Sequence, residues 1–101
     1  MVLFDVLGRR WTLRILWELR DGAQSFRALR QRCDDISPTV LNDRLKQLRA
    51  LAFVSQGEAG YALTETGREL SARLVDLDHW AARWASGLTE GQAAPADEPE
   101  R

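Results

Sequence analysis

The stretch over residues 36–49, ISPTVLNDRLKQLR, constrains the fold more than any other part of this sequence. In it, Ser37 is followed directly by Pro38. A serine before a helix accepts a hydrogen bond from a free backbone N–H of the first turn, and a proline at the next position loses nothing by lacking its own N–H. The pair therefore predicts a helix that begins here and covers residues 37–51.

The two faces of this predicted helix differ in chemistry. At about 100° per residue, the apolar side consists of Leu41, Leu45 and Leu48. The opposite side carries hydrogen-bonding groups, namely Thr39, Asn42, Asp43 and Lys46. A helix that reads the major groove of DNA places such groups in its first turns. On these residues alone, an ordinary solvated face is the simpler interpretation.

Length and composition predict one small domain. The chain has 101 residues, 45% of them hydrophobic, which suffices for one modest core. No apolar run is long enough to span a bilayer, and the charges of Asp5, Arg9 and Arg10 do not fit a signal peptide. The single Cys33 cannot form an intrachain disulfide, which agrees with a reducing compartment. We expect a cytoplasmic protein.

Charge is divided unevenly along the chain. Residues 1–55 carry ten Arg or Lys against six Asp or Glu, a net +4, while residues 56–101 carry four against nine, a net −5. The overall charge of −1 argues against a general nucleic-acid binder. The division nevertheless allows the first half to face phosphate and predicts that the second half stays away from it.

Three short helices are predicted ahead of Ser37. Residues 2–7 form an apolar turn or two that Gly8 stops. Residues 11–19 are apolar around most of the helix, which places them, Trp11 and Trp17 included, at the centre of the core. Ser25 can cap a third helix. The inward residues of that helix are Phe26, Leu29 and Cys33, and its outward arginines are Arg27, Arg30 and Arg32.

The connection after Cys33 is too short for anything but a tight turn, so two short helices meet as a helix-turn-helix. Asp34 and Asp35 in this turn are adjacent carboxylates, which more often serve turns than metal binding or acid–base catalysis. His79 has no nucleophile or acidic motif beside it, and solvated surface is its simpler interpretation. We therefore expect that the protein is not an enzyme and that it has no cofactor and no metal site.

After residue 52 the pattern changes to two short strands over residues 53–56 and 60–64, joined by a glycine-containing turn. A hairpin directly after a reading helix is a wing. Thr64 then caps a helix over residues 65–88, and the small, acidic, proline-containing residues 89–101 predict a disordered tail.

The last helix carries a narrow apolar seam, formed by Leu70, Leu74, Leu77, Ala81, Trp84 and Leu88. Spacings of three and four residues are typical of a helix that packs on another helix. Trp80 lies beside the seam, and the N-terminal turn has no obvious place to bury itself. A symmetric dimer would cover both. The interface residues expected in this dimer are Leu3, Phe4, Leu7, Leu70, Leu74, Leu77, Trp80, Ala81, Trp84 and Leu88.

One ordered set of residues runs through most of the chain: Gly8-Arg9-Arg10-Trp11-Thr12, Ile36-Ser37-Pro38, Leu41, Arg44-Leu45, Leu48, Tyr61-x-Leu63-Thr64-x-x-Gly67-x-x-Leu70, Trp80 and Trp84. In this order and spacing, the set resembles the HxlR-type winged helix-turn-helix transcriptional regulators of bacteria, relatives of the MarR group. The resemblance spans about residues 2–88. It implies a mainly α fold with a small β-hairpin, a dimer joined through its first and last helices, and the helix over residues 37–51 in the major groove.

Because of this resemblance, we interpret the polar face of the predicted helix as a surface that reads DNA rather than as an ordinary solvated face. The expected base-reading residues are Ser37, Thr39, Asn42, Asp43 and Lys46. The expected phosphate contacts are Arg9, Arg10, Arg27, Arg30, Arg44 and Arg49. The expected partners are double-stranded operator DNA, a second copy of the chain and an unidentified small-molecule effector, but no membrane.

Three features depart from this pattern or leave an alternative open. The wing is short and its only charge is Glu58, so that insertion into the minor groove is doubtful. A winged-helix scaffold that binds protein instead of DNA is the alternative function.

Trp80 and Trp84 can wall an apolar ligand pocket, although packing is their simpler role. Cys33, on an inner helix face, is predicted to be a buried structural thiol rather than an oxidant sensor.

Overall fold

The fold is mainly helical with one small β-hairpin, as the sequence predicts. The computed structural model describes residues 2–91, with side-chain surroundings up to Thr89. Its elements in chain order are α1 (Val2–Leu7), α2 (Thr12–Glu18), α3 (Phe26–Arg32), α4 (Pro38–Ala50), β1 (Val54–Gly57), β2 (Gly60–Leu63) and α5 (Glu65–Gly91). The described residues fall into two compact units, and the division between them lies after Ser71, within α5. Among the described residues, no helix combines the length and apolarity needed to cross a membrane.

Helix α2 supplies the centre of the core in the first unit. Ile15, Leu16 and Leu19 are fully buried, as predicted from the apolar circumference of this segment. Leu13 is an exception, because it is 44% exposed and points away from the core. The helix also begins one residue later than predicted, and Trp11 takes a left-handed backbone conformation with φ 79°. Trp11 and Trp17 are only half-buried, so the prediction that both belong to the core is wrong.

Helix α3 begins and ends as the sequence indicates. The Ser25 hydroxyl accepts a hydrogen bond from the Ala28 N–H at 3.0 Å, which caps the helix. The turn after Cys33 contains Asp34 and Asp35, both left-handed with φ 56° and 57°. Short acidic side chains tolerate this conformation, which explains their place in the turn. The chain then re-enters the core at the buried Ile36.

The hairpin pairs its strands antiparallel, with Val54 opposite Leu63 and Gly57 opposite Gly60. Only Glu58 and Ala59 remain in the turn between them. A third short piece of chain joins the edge, because Gln24 and Tyr61 exchange backbone hydrogen bonds of 2.9 and 2.8 Å. Gln24, two residues before α3, is therefore bonded to the edge of the wing.

Helix α5 starts at the predicted cap, where the Thr64 hydroxyl accepts from the Gly67 N–H at 2.9 Å. Its first turn lies directly under the chain that leaves α4. A Cβ atom on Gly67 would come within 2.0 Å of the Phe53 carbonyl oxygen, and that oxygen also accepts from the Thr64 N–H. Only glycine fits this approach of helix and backbone.

Replacement of Gly67 by alanine should lower the free energy of unfolding by about 1–3 kcal/mol, because backbone has to move to admit the methyl group. Chemical denaturation followed by circular dichroism measures this. Gly87→Ala is the matched control, since a Cβ at Gly87 meets no heavy atom within 4 Å. That control should be neutral or stabilising by up to about 1 kcal/mol. Equal effects of the two substitutions would contradict this explanation of Gly67.

The far end of α5 extends beyond the sequence-based boundary. The helix ends at Gly91, whereas the sequence analysis places its end at residue 88. The tail predicted over residues 89–101 therefore starts with helical residues. Residues 92–101, the rest of that predicted tail, lie outside the described part of the chain.

Candidate nucleic-acid interface

The buried side of α4 determines which side of the helix is exposed. Leu41, Leu45 and Leu48 are 0–1% exposed, which orients the helix about its own axis. Ser37 caps its start, with its hydroxyl 3.4 Å from the Val40 N–H, and Pro38 is in the first turn. These local features are the ones that the sequence predicts. The polar face therefore points away from the core.

All five residues predicted to read bases are exposed: Ser37, Thr39, Asn42, Asp43 and Lys46. They differ in how much of their hydrogen-bonding capacity is used. Ser37 serves as the helix cap, and Asp43 contacts two arginines. No hydrogen bond or ion pair engages the side chains of Thr39, Asn42 and Lys46 within residues 2–91. Those three are the groups that remain available to a ligand.

The six predicted phosphate contacts fall into two groups. Four are exposed: Arg9, Arg10, Arg27 and Arg49. The other two, Arg30 and Arg44, are partly buried and hydrogen-bonded inside the protein. Arg30 Nε donates to the Ile36 carbonyl at 2.9 Å, which ties α3 to the residue just before the Ser37 cap. Arg30, predicted to lie on the outside of α3, is therefore only partly exposed.

Arg44 connects α4 to the loop between α1 and α2. Its Nε donates to the Arg10 carbonyl at 2.8 Å, and its second guanidinium nitrogen lies 2.6 Å from Asp43 Oδ2. The Arg44 side chain is only 12% exposed, which removes most of it from contact with an outside ligand. Arg44 is among the predicted phosphate contacts, but two of its guanidinium nitrogens are hydrogen-bonded inside the protein.

A second set of charges, which the sequence analysis missed, holds α2 against the end of α3. Arg14 Nε donates to Glu18 at 2.9 Å, and Arg14 also pairs with Asp34 at 3.3 Å. Arg32 approaches the other oxygen of Glu18 at 3.6 Å. The four-residue spacing of Arg14 and Glu18 is the only sequence signal for this set.

The wing presents little positive charge. The outward residues of β1 are Ser55, Gln56 and Gly57, and the turn adds Glu58. Phosphate is not attracted to such a surface. This agrees with the expectation that minor-groove insertion by the wing is doubtful.

Cys33 is fully buried at the end of α3, as predicted. Burial raises the pKa of its thiol, an effect that the nearby Arg14 opposes only in part. Because the thiolate is the reactive form, both burial and the raised pKa slow its reaction with oxidants near neutral pH.

A disulfide exchange reagent should modify Cys33 in the native protein more than about tenfold more slowly than in denaturant. The rate should rise as pH approaches the raised pKa, because more thiolate is then present. Introducing Ser55→Cys on the exposed strand β1 should add one thiol that reacts rapidly. Rapid stoichiometric modification of native Cys33 at neutral pH would show that the thiol is accessible.

The residues predicted to form a dimer interface are spread over both units. In the first unit, Phe4 is 66% exposed, whereas Leu3 and Leu7 are partly buried. Val2, which is not among the predicted interface residues, is 64% exposed beside them. In the second unit, large apolar side chains are each about half exposed, namely Leu77, Trp80, Trp84 and Leu88. The rings of Trp80 and Trp84 stack with centroids 6.1 Å apart and planes 5° from parallel. A ligand pocket at this pair stays a prediction.

Comparison with known proteins identifies the family. The sequence profile of the HxlR-like helix-turn-helix family matches residues 6–88. The chain belongs to this family. Among HTH-type relatives, it is 30% identical over 87 residues to the uncharacterised HTH-type transcriptional regulator YvaP of Bacillus subtilis, with 79% of this chain and 81% of YvaP covered.

Solved structures of related regulators share the fold. The quinone-bound form of YodB from B. subtilis superposes with a TM-score of 0.74 at 33% identity, covering 80% of this chain and 92% of YodB. A possible HxlR family transcriptional factor from Thermoplasma volcanium gives a TM-score of 0.74 at 28% identity, covering 83% and 82% of the two chains. The HxlR-like chain described here is thus a winged-helix protein of a transcription-regulating, DNA-binding family.

Proposed function

We propose that this protein is a homodimeric transcriptional regulator that binds a specific double-stranded DNA site with α4 in the major groove. The observation that carries the proposal is the exposed face of α4. There, Thr39, Asn42 and Lys46 project without protein partners within residues 2–91, above a fully buried leucine stripe. A helix held on one side and polar on the other has the form of a reading helix.

The chemistry of these three side chains fits base edges. Asn42 can pair bidentately with adenine, and Lys46 can donate to guanine. Thr39 can place its methyl group on thymine or donate its hydroxyl to phosphate. Ser37 lies at the start of the same face, with its hydroxyl oriented by the helix cap. Asp43 accepts from cytosine or opposes other bases.

Phosphate contacts are assigned to the exposed arginines flanking this face. Arg9 and Arg10 precede α2, and Arg27 projects from α3, the helix that crosses the DNA backbone in helix-turn-helix complexes. Arg49 extends from the last turn of α4. Arg30 keeps guanidinium nitrogens beyond its bonded Nε for the same role. We assign Arg44 instead to holding the Arg10 backbone.

Asn42→Ala and Lys46→Ala should each cost about 1–3 kcal/mol on the cognate site and relax base preference at one position. Sites selected from a random duplex pool by the parent protein supply the cognate DNA, and fluorescence anisotropy supplies the affinities. Thr66→Ala, which trims an exposed polar side chain of α5, is the control and should leave affinity unchanged.

The outcome of that experiment distinguishes a DNA-binding regulator from a scaffold that binds protein. If the parent selects no sequence and binds no duplex at low salt, the protein-binding scaffold takes precedence. If it selects a site that both alanine variants bind as tightly and selectively as the parent, α4 does not read DNA.

A second copy of the chain is the proposed cover for the exposed apolar residues of α1 and α5. Half-exposed leucine and tryptophan side chains along one side of a helix are unusual on a monomeric protein. An isologous dimer buries the same patch on both subunits. It also presents two copies of α4 to successive major grooves, about 34 Å apart, and so requires a palindromic or near-palindromic site.

Leu77→Asp should convert the dimer into a monomer, because an unpaired buried carboxylate costs about 3–5 kcal/mol. DNA affinity should then fall strongly, since the second reading helix is lost. Sedimentation velocity at micromolar protein measures the first effect and anisotropy the second. Ser86→Asp, on the opposite side of α5, is the matched control and should stay dimeric. A monomeric parent protein would eliminate the dimer from the proposal.

A further inference from the structure

One carboxylate oxygen on the exposed face of α4 is shared by two arginines. Asp43 Oδ2 lies 2.6 Å from a guanidinium nitrogen of Arg44 and 3.7 Å from one of Arg9. Arg44 also donates to the Arg10 carbonyl at 2.8 Å. The α1–α2 loop and the reading helix are therefore joined through a single acidic side chain and its neighbour.

The two ion pairs of Asp43 differ in how easily water or another ion can replace one of the partners. Arg44 is 12% exposed and bonded at two points, so the Asp43–Arg44 pair is held in place. In the Asp43–Arg9 pair, the side chains are 51% and 45% exposed. An exposed pair at 3.7 Å contributes little to stability, and another anion readily replaces its carboxylate.

A DNA phosphate presents Arg9 with the same type of oxygen ligand as Asp43 does. When phosphate takes the Arg9 guanidinium, Arg44 still keeps the carboxylate on the α4 face. The Asp43 carboxylate has then lost one of its two arginine counter-ions. Its other oxygen, Oδ1, has no protein partner within residues 2–91 and faces the groove. Only a base with an amino group there, such as cytosine, compensates that oxygen.

We propose that Asp43 is an internal counter-ion that restrains binding to non-cognate DNA by holding Arg9 in the DNA-free protein. This inference rests on the proposed DNA-binding function. It assigns Asp43 a role in specificity through Arg9, in addition to any direct contact with a base. Non-cognate DNA must break the Arg9–Asp43 pair and leave the carboxylate with Arg44 as its one remaining counter-ion, whereas a cognate site supplies a second partner to it.

The test measures the affinity of the full chain for a random-sequence duplex over a salt series. Asp43→Asn removes the charge and keeps an oxygen that can accept from Arg44. It should raise random-duplex affinity about three- to fivefold near 0.1 M salt, the range expected for release of one exposed ion pair, and steepen the salt slope by about 0.9. The ratio of selected-site to random affinity should fall. Thermal unfolding followed by circular dichroism verifies that the variant is folded.

Two further variants identify the cause. Asp21→Asn removes the same charge from an aspartate that pairs with Arg20 at 3.9 Å, and it should leave random-duplex affinity within about twofold of the parent. In an Arg9→Ala background, the gain from Asp43→Asn should largely disappear, because the restrained guanidinium is absent. Such a cycle isolates the Arg9–Asp43 coupling.

Each other outcome overturns the inference. Unchanged random-duplex affinity in Asp43→Asn shows that the carboxylate restrains nothing. Equal gains from Asp43→Asn and Asp21→Asn reveal only an effect of net charge. A gain that persists fully in the Arg9→Ala background means that Asp43 repels DNA directly. A parent protein that binds no duplex at low salt overturns the proposed function itself, whereas the first three results leave that function standing.

Discussion

Burial of the leucine stripe on α4 is the interaction on which the rest of the site depends. Leu41, Leu45 and Leu48 are all but inaccessible to solvent, and each contributes about 1.5–3 kcal/mol of apolar burial. Rotating the helix by one residue would expose part of this stripe. The burial therefore sets the rotation of α4 and, with it, the direction of every polar side chain on the opposite face.

The charged groups around α4 position backbone more than they stabilise the fold. Arg44 holds the Arg10 carbonyl, Arg30 holds the Ile36 carbonyl, and both bonds lie at the edges of the helix-turn-helix. One hydrogen bond from a charged group contributes about 1.5–3 kcal/mol, which is less than the roughly 5–15 kcal/mol that typically stabilises a folded protein, so losing one such bond would loosen the local geometry before it unfolded the domain. The exposed face of α4 is thus built on an apolar base and positioned by polar contacts at its edges.

Helix α5 changes character along its length. Its first turns belong to the core of the first unit, where Gly67 and Ser71 are buried and the Thr64 cap lies beside the end of α4. From Leu77 onward, its leucine and tryptophan side chains are exposed instead, whereas Leu74 and Val75 are still partly buried. A chain of this length has a small core, and exposed leucine and tryptophan side chains on one helix form apolar surface that a second protein surface can cover.

The sequence by itself determined the elements whose causes are local. The caps at Ser25, Ser37 and Thr64 depend on hydrogen bonds to residues three positions away, so short patterns reveal them. The hairpin and the leucine spacing of α4 are equally visible, because turn residues and helical periodicity act over a few residues. These signals sufficed for the helix-turn-helix, its wing and the exposed polar face of α4.

Only the tertiary structure decided how arginines are used and where some apolar residues lie. Arg44 bonds to a carbonyl 34 positions earlier in the chain, and Arg14 to an aspartate 20 positions later. No local pattern encodes such partners. The outward Leu13 and the left-handed Trp11 likewise follow from how α2 meets its neighbours. Charge and hydrophobicity are properties of a residue, whereas its partner is a property of the fold that brings distant segments together.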